Sequence, residues 1–252
     1  MSTLETFVQN TKSYPQSVCT SQEIRDRSSL FIANIFRASN EEEARKAVTH
    51  LRNVIHGSKR ATHEMFAWRC MVLKAGRTGL SGPDDFELKS GNEDDGEKYG
   101  SGRILKMMQA EGIIDAVVVV NRHVDAGHTR YGGEMIGPAR FSHIETCARE
   151  VCHTFRVKDE LDERLATLGS LDDMLGLLRA ELAELTETKE SAETASKIVG
   201  KKKQDYRALL DSLDVTKAKR LIIARENSLK SVKASLKKAR ERKAAEAGGK
   251  MS

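Results

Sequence analysis

Proline is almost missing from this chain: it occurs at 15, 83 and 138, and nowhere from 139 to the C-terminus. A proline ring removes a backbone donor and clashes inside helices, so the C-terminal part is free to form long ones. No stretch approaches the ~20 consecutive apolar residues a membrane span needs, so no membrane association is expected. The first ten residues, Met1 to Asn10, lack a basic start followed by an apolar run, so no secretory signal is expected. Cys19, Cys70, Cys147 and Cys152 form no zinc-type CxxC pair. Four cysteines in 252 residues are too sparse for a disulfide scaffold, and reduced thiols in the cytoplasm are the expectation.

The length allows one or two folded units, at roughly 150 residues per domain. The net charge of +5 is unevenly placed. Residues 1–150 carry 20 basic and 20 acidic side chains, residues 151–199 carry 6 and 11, and residues 200–252 carry 16 and 6. The basic character therefore belongs to the tail. Such a tail suits an acidic partner, either nucleic acid or an acidic protein face, or else simply a soluble helix.

The first half reads as a compact α+β domain, a sheet with helices packed on one face. Ser28–Arg37 is apolar and β-prone. Asn40 reads as a helix N-cap, with Glu41, Glu42 and Glu43 opposing the positive end of the dipole. The helix after it buries Ala44, Ala47, Val48, Leu51 and Ile55 at spacings of three and four, and Gly57 ends it. Thr62–Leu73 reads as a second strand with Trp68 in the core, and Phe86–Lys89 as a short third. Gly91–Gly102, GNEDDGEKYGSG, reads as a loop. Ile104–Gln109 reads as a helix, Ala116–Val120 as a fully buried strand, and Phe141–Val151 as a further helix.

These segments carry a resemblance. Ile24-Arg25-Asp26-Arg27-Ser28 and Phe31-x-Ala33 are followed by ATHEMFAWR at 61–69 and EDDGE at 93–97. Then come Gly102-Arg103-Ile104-Leu105, VVVVNR at 117–122, YGG at 131–133 and GPARFSHIETCAR at 137–149. In this order, over ~130 residues, the pieces resemble the Impact family, a specificity no single piece has. The resemblance implies a two-layer fold like the second domain of a small-subunit ribosomal protein. It departs where Arg122 is separated from Tyr131 by His123–Arg130, and the C-terminal ~100 residues fall outside it.

Chemistry-bearing clusters are few. Glu93, Asp94, Asp95 and Glu97 could hold a divalent cation through oxygen, but lack the spacing of a calcium loop. The alternative is a tight turn whose acids cap the next helix or meet arginine and lysine neighbours. His123, Asp125 and His128 could converge on a metal, and so could His143 with Cys147, one helical turn apart. Neither set completes a ligand sphere, and no metal or other cofactor is expected. GRTGLSG at 76–82 lacks the lysine of a phosphate loop.

The second half reads as helices built for packing, a helical hairpin or a coiled coil. Leu168, Leu171, Leu175, Leu178, Leu182 and Leu185 are spaced 3, 4, 3, 4, 3, an a/d seam. Ser170 with Asp173 reads as a helix start. The seam resumes at Tyr206, Leu210 and Leu213 and then shifts phase at Ile222 and Leu229. That shift favours two helices, 171–199 and 201–246, antiparallel and turning at Gly200. The basic stretch Lys230, Lys233, Lys237, Lys238, Arg240, Arg242 and Lys243 would then overhang the acidic helix. The expected layout is an arm at 1–20, the α+β domain at 21–153, an acidic helical segment at 154–199, a basic helix at 200–247 and a tail at 248–252.

The resemblance implies a non-enzymatic, cytosolic regulator of translation and stress-kinase signalling. Its protein partner would be the ribosome-associated co-activator of the starvation-activated initiation-factor kinase, with monomeric actin a further one. The partner-binding residues would be Glu93, Asp94, Asp95, Glu97, Arg103, Arg122, Tyr131, Gly132 and Gly133. A second reading is a ribosome- or RNA-binding accessory protein using the basic stretch. A third is an enzyme acting on a phosphorylated or nucleotide substrate through the EDDGE loop.

Overall fold

The computed structural model describes residues 14–124, 136–186 and 205–249. The chain divides into two compact units, Met1–Arg156 and Val157–Ser252.

The first unit is a mixed α and β structure around one antiparallel sheet. Its strands are β1 (Ser17–Thr20), β2 (Ile24–Asp26), β3 (Ser29–Arg37), β4 (His63–Leu73), β5 (Phe86–Glu93) and β6 (Ala116–Val124). They lie in the order β1-β3-β6-β4-β5, with β2 also on β3. β1 and β2 share one edge of β3, and Ser21 makes the bend between them. Its N–H donates to the Ala33 carbonyl, and its hydroxyl accepts from the Ala33 N–H.

β6 is the centre, paired with β3 on one side and β4 on the other. Val117, Val118, Val119 and Val120 are all fully buried, as the unbroken apolar run implied. Successive side chains point to opposite faces of a strand, so such a run needs cover on both faces. The helices divide accordingly. On one face, α1 (Glu41–His50) and the π-helical turn Leu51–Ile55 bring Ala44, Ala47, Val48 and Leu51 against Phe36, Phe66, Trp68, Val117 and Val119. On the other, α2 (Gly100–Ala110) and the start of α3 (Ala139–Thr186) bring Ile104, Met108, Ile144, Val151 and Phe155 against Phe31, Ile35, Met65, Val118 and Val120. The helices thus cover two faces where the pattern suggested one.

Asn40 caps α1 as its residue type implied: its backbone is extended, and its Oδ1 accepts the Glu43 N–H at 2.9 Å. The Glu43 carboxylate reaches back to the Ser39 N–H and hydroxyl. Ile55, expected in the core, is half exposed, because the π-helical turn rotates it off the buried face. Trp68 is buried, and its indole lies across Gly91 of β5. A Cβ there would fall 2.7 Å from the Trp68 Nε1, so only glycine fits.

The second unit contains the rest of α3, a short α4 (Arg207–Ser212) and α5 (Val215–Gly249). Here the sequence expectations need correction. α3 is continuous from 139 to 186, so Ser170 starts no helix. Burial of Leu168 and Leu175 on one stripe outweighs the ~1 kcal/mol that Gly169 costs in a helix interior. The real break is at Leu213, in the left-handed region at φ 51, followed by Asp214, which accepts the Lys217 N–H and caps α5. The phase shift in the leucine pattern marks this break. The expected turn at Gly200 lies outside the described residues.

The two long helices are parallel. Glu160 pairs with Lys219, Asp172 with Arg225 and Glu181 with Arg240, so both helices number upward together. Leu161, Leu209 and Ala218 form the core at one end. Leu168, Leu175, Leu229 and Leu236 are buried along the length, while Leu171, Leu178, Leu182 and Leu185 are half-buried. An acidic helix attracts a basic one in either direction, so charge could not settle the direction. The overhang expected for the basic stretch is absent as well: Lys233, Leu236, Lys237 and Arg240 line a groove beside Leu178.

Candidate functional site: the acidic loop and its arginines

β5 ends at Glu93 and α2 begins at Gly100, so Asp94 to Tyr99 must reverse the chain in six residues. They do so with three left-handed residues, Asp95 at φ 46, Gly96 at φ 86 and Tyr99 at φ 70. Two of these are not glycine, a strain that surrounding bonds must hold in place.

The acids supply those bonds. The Asp94 carboxylate accepts the Tyr99 N–H at 3.0 Å, the Ser101 N–H at 2.9 Å and the Ser101 hydroxyl. It therefore caps α2. Burial pushes its pKa up, but the hydrogen bonds from Ser101 and Tyr99 outweigh burial and hold it below the usual range. The Asp95 carboxylate accepts the Glu64 N–H at 2.8 Å, and its carbonyl meets His63 Nδ1 at 3.0 Å.

Glu97 is 6 % exposed and sits between two guanidinium groups. Arg122 donates to it at 2.5 Å and also reaches the Ser29 hydroxyl. Arg140 Nε lies 2.6 Å from its other oxygen, an ion pair without hydrogen-bond alignment. Glu93 meets Arg45 at 3.2 Å on the surface. Arg103 pairs with Glu145 at 2.5 Å and lies over the Phe141 ring.

Behind the loop, Glu64 is almost fully buried. It accepts from Arg52 at 2.6 Å and meets His56 at 3.4 Å. Burial raises its pKa, but the bonds from His56 and Arg52 and the Arg52 charge prevail, so it is held low. His123 packs edge-on to His56, and burial, with the charges of His56 and Lys59, pushes its pKa down. Asn121, beside Glu64 on β6, is fully buried, and its side-chain atoms have no hydrogen-bond partner.

The loop thus brings Glu97 to Arg122 and Arg140, and engages Asp94 and Asp95 with backbone groups of the same chain, while Glu93 meets Arg45 and Arg103 pairs with Glu145. Tyr131, Gly132 and Gly133 lie outside the described residues, as do Asp125 and His128. Of the other metal candidates, His143 Nε2 meets Asp26 at 2.8 Å, and Cys147 faces the core, its thiol pushed up to about 11 by burial. Among the described residues, no group of three or more His, Cys, Asp or Glu side chains could hold a metal ion. No helix among them is long and apolar enough to cross a membrane.

Sequence reasoning passed over Tyr99. It stands at the tip of the braced loop, 75 % exposed, with its ring in solvent. The available signal was an aromatic among acids and glycines, where no core needs one. A charged, rigid loop carrying a free aromatic ring is a recognition surface in form.

The family model of the Impact N-terminal domain matches residues 27–152, the whole sheet from β3 onward and its helices. The chain belongs to that family. Its relatives include Protein IMPACT of Oryctolagus cuniculus, 29 % identical over 158 residues, 63 % of this chain and 44 % of that one. Protein IMPACT homolog of Saccharomyces cerevisiae is 32 % identical over 130 residues, 52 % of this chain and 43 % of that one. The chain spans less than half the length of these relatives. A solved structure, the two-domain translational regulator Yih1, is 28 % identical, covering 56 % of this chain and 50 % of its own with a TM-score of 0.33.

Proposed function

We propose that the chain is a non-enzymatic cytoplasmic regulator of translation that works by binding protein partners through the loop from Glu93 to Arg103. The partner the family implies is the ribosome-associated co-activator of the starvation-activated initiation-factor kinase, and competition with that kinase would restrain the stress response. The observation carrying this reading is the exposed Tyr99 ring on a loop braced by Asp94, Asp95 and Glu97.

In this arrangement the acids have a positioning role. Asp94 and Glu97 hold the loop in its strained path, so its shape exists before any partner arrives. A preorganised loop loses little entropy on binding. Tyr99 supplies the apolar contact. Aromatic side chains of this kind dominate protein interfaces, and truncating one commonly costs 2 kcal/mol or more, roughly.

The test is a pull-down from RNase-treated extract, probed for the kinase co-activator, with the full chain and its Tyr99→Ala variant. Retention by the wild type and a loss of at least about ten-fold in the variant support the reading. Equal retention, or none by either chain, contradicts it.

A further inference from the structure

In the second unit, ion pairs run along the seam between the two long helices. The acids of α3 are met by cations beside the seam: Glu160 by Lys219, Asp172 by Arg225 and Glu181 by Arg240. The side of α5 turned away from the seam is different. With about 100° between successive residues, Arg220, Lys230, Lys238 and Arg242 fall on the outer arc, away from Ala218, Leu229 and Leu236. All four are exposed. None makes an ion pair with an acid among the described residues. The acid on that arc among the described residues is Glu241, which lies 4.0 Å from Lys237.

At ~1.5 Å per residue, Arg220 to Arg242 spans about 33 Å. We propose that this outer face of α5 is a contact for the sugar-phosphate backbone of nucleic acid, independent of the protein-binding loop above. Charge complementarity is the argument. A duplex presents one negative charge per ~1.7 Å of axis, and neutralising phosphates releases bound counterions. A row of flexible lysines can follow that line without reading bases. An acidic protein surface fits less well. Protein interfaces are anchored by buried apolar or aromatic groups, and the large apolar side chain exposed on this stretch is Ile223 alone among the described residues.

The test uses the full chain and a variant carrying Arg220→Gln, Lys230→Gln, Lys238→Gln and Arg242→Gln. These side chains are exposed, so the fold is unaffected, which circular dichroism verifies. The probes are an RNA duplex of about 20 base pairs and polyglutamate of similar charge, titrated between about 50 and 200 mM salt. The wild type binds the duplex more tightly than polyglutamate, regardless of base sequence. Its log–log salt slope is several units, shallower by about 3 or more in the variant. At the lowest salt the variant binds at least ten-fold more weakly, roughly. Wild-type affinity and slope in the variant overturn the inference, as does equal binding of duplex and polyglutamate, or no duplex binding at low salt. A Tyr99→Ala chain keeps full duplex binding, so the two surfaces fail separately. Loss of duplex binding in that chain also overturns the inference.

Discussion

β6 buries Val117, Val118, Val119 and Val120 without a gap, whereas α3 in the second unit buries Leu161, Leu168 and Leu175, one residue in seven. The first arrangement encloses a strand between two layers, so each core residue is backed by several elements. The second rests on a single seam with ion pairs at its edges, and exposed pairs of that kind are worth roughly 0–1 kcal/mol each. The comparison teaches where stability and surface chemistry are divided. The sheet unit uses its charges internally, as Glu97 does between Arg122 and Arg140. The helical unit leaves a row of cations outside.

The sharpest way to break the comparison is in the first core. Trp68→Ala should destabilise the sheet unit by about 3–5 kcal/mol, the usual cost of truncating a buried aromatic. Trp68 is the single tryptophan, so its fluorescence reports the native core directly. Emission typical of full water exposure would contradict its placement. Close behind is Glu97→Ala, which strands Arg122, a side chain only 14 % exposed. Removing one partner of a buried pair costs about 3–5 kcal/mol. Chemical denaturation should show this loss in the sheet unit alone.

In the helical unit, Leu175→Ala should cost about 2–3 kcal/mol and lower only that unit's transition. The parallel direction is tested by cysteines placed at 181 and 240, which should cross-link readily, against cysteines at 160 and 240, which should not. The reverse pattern would restore the antiparallel hairpin. A smaller effect is expected for Asp94→Ala, about 1 kcal/mol, from loss of the α2 cap.

The smallest effect is the pH dependence of the sheet unit. Asp94 and Glu64 are held low in the folded state, so the unfolded chain takes up protons first. Their contribution is present above the ordinary carboxylate pKa of about 4 and is lost as pH falls through the lowered folded values. His123 is also lowered, so its contribution is present above about pH 6.5 and fades below it. His123→Gln should flatten the stability profile just below pH 6.5, roughly, and leave the acid limb unchanged.

Much of the sheet unit was legible because its signals are local and repeated. Asn40 and Glu43 announced a helix start, the valine run announced a fully buried strand, though not the helices on both faces, and Trp68 in an apolar strand announced core. β1 escaped notice, and β2 was seen only through the family resemblance, because four and three residues are too short for alternation to be read. The seam leucines were visible, but not their direction: a heptad pattern and opposite charges fit either orientation, and Leu213 carries no mark of a left-handed residue. The acidic loop was visible as a cluster. Its internal use depended on Arg122 and Arg140, which come from β6 and α3, far along the chain, and Tyr99 stood out only once its exposure was known.

One cross-titration tests the division between the two units most directly. The full chain, its Tyr99→Ala variant and the four-glutamine variant of α5 are each titrated with the purified kinase co-activator and with the RNA duplex. The account predicts that Tyr99→Ala loses the protein partner and keeps the duplex, while the α5 variant loses the duplex and keeps the protein. Loss of both ligands in either variant, or of neither, would contradict it.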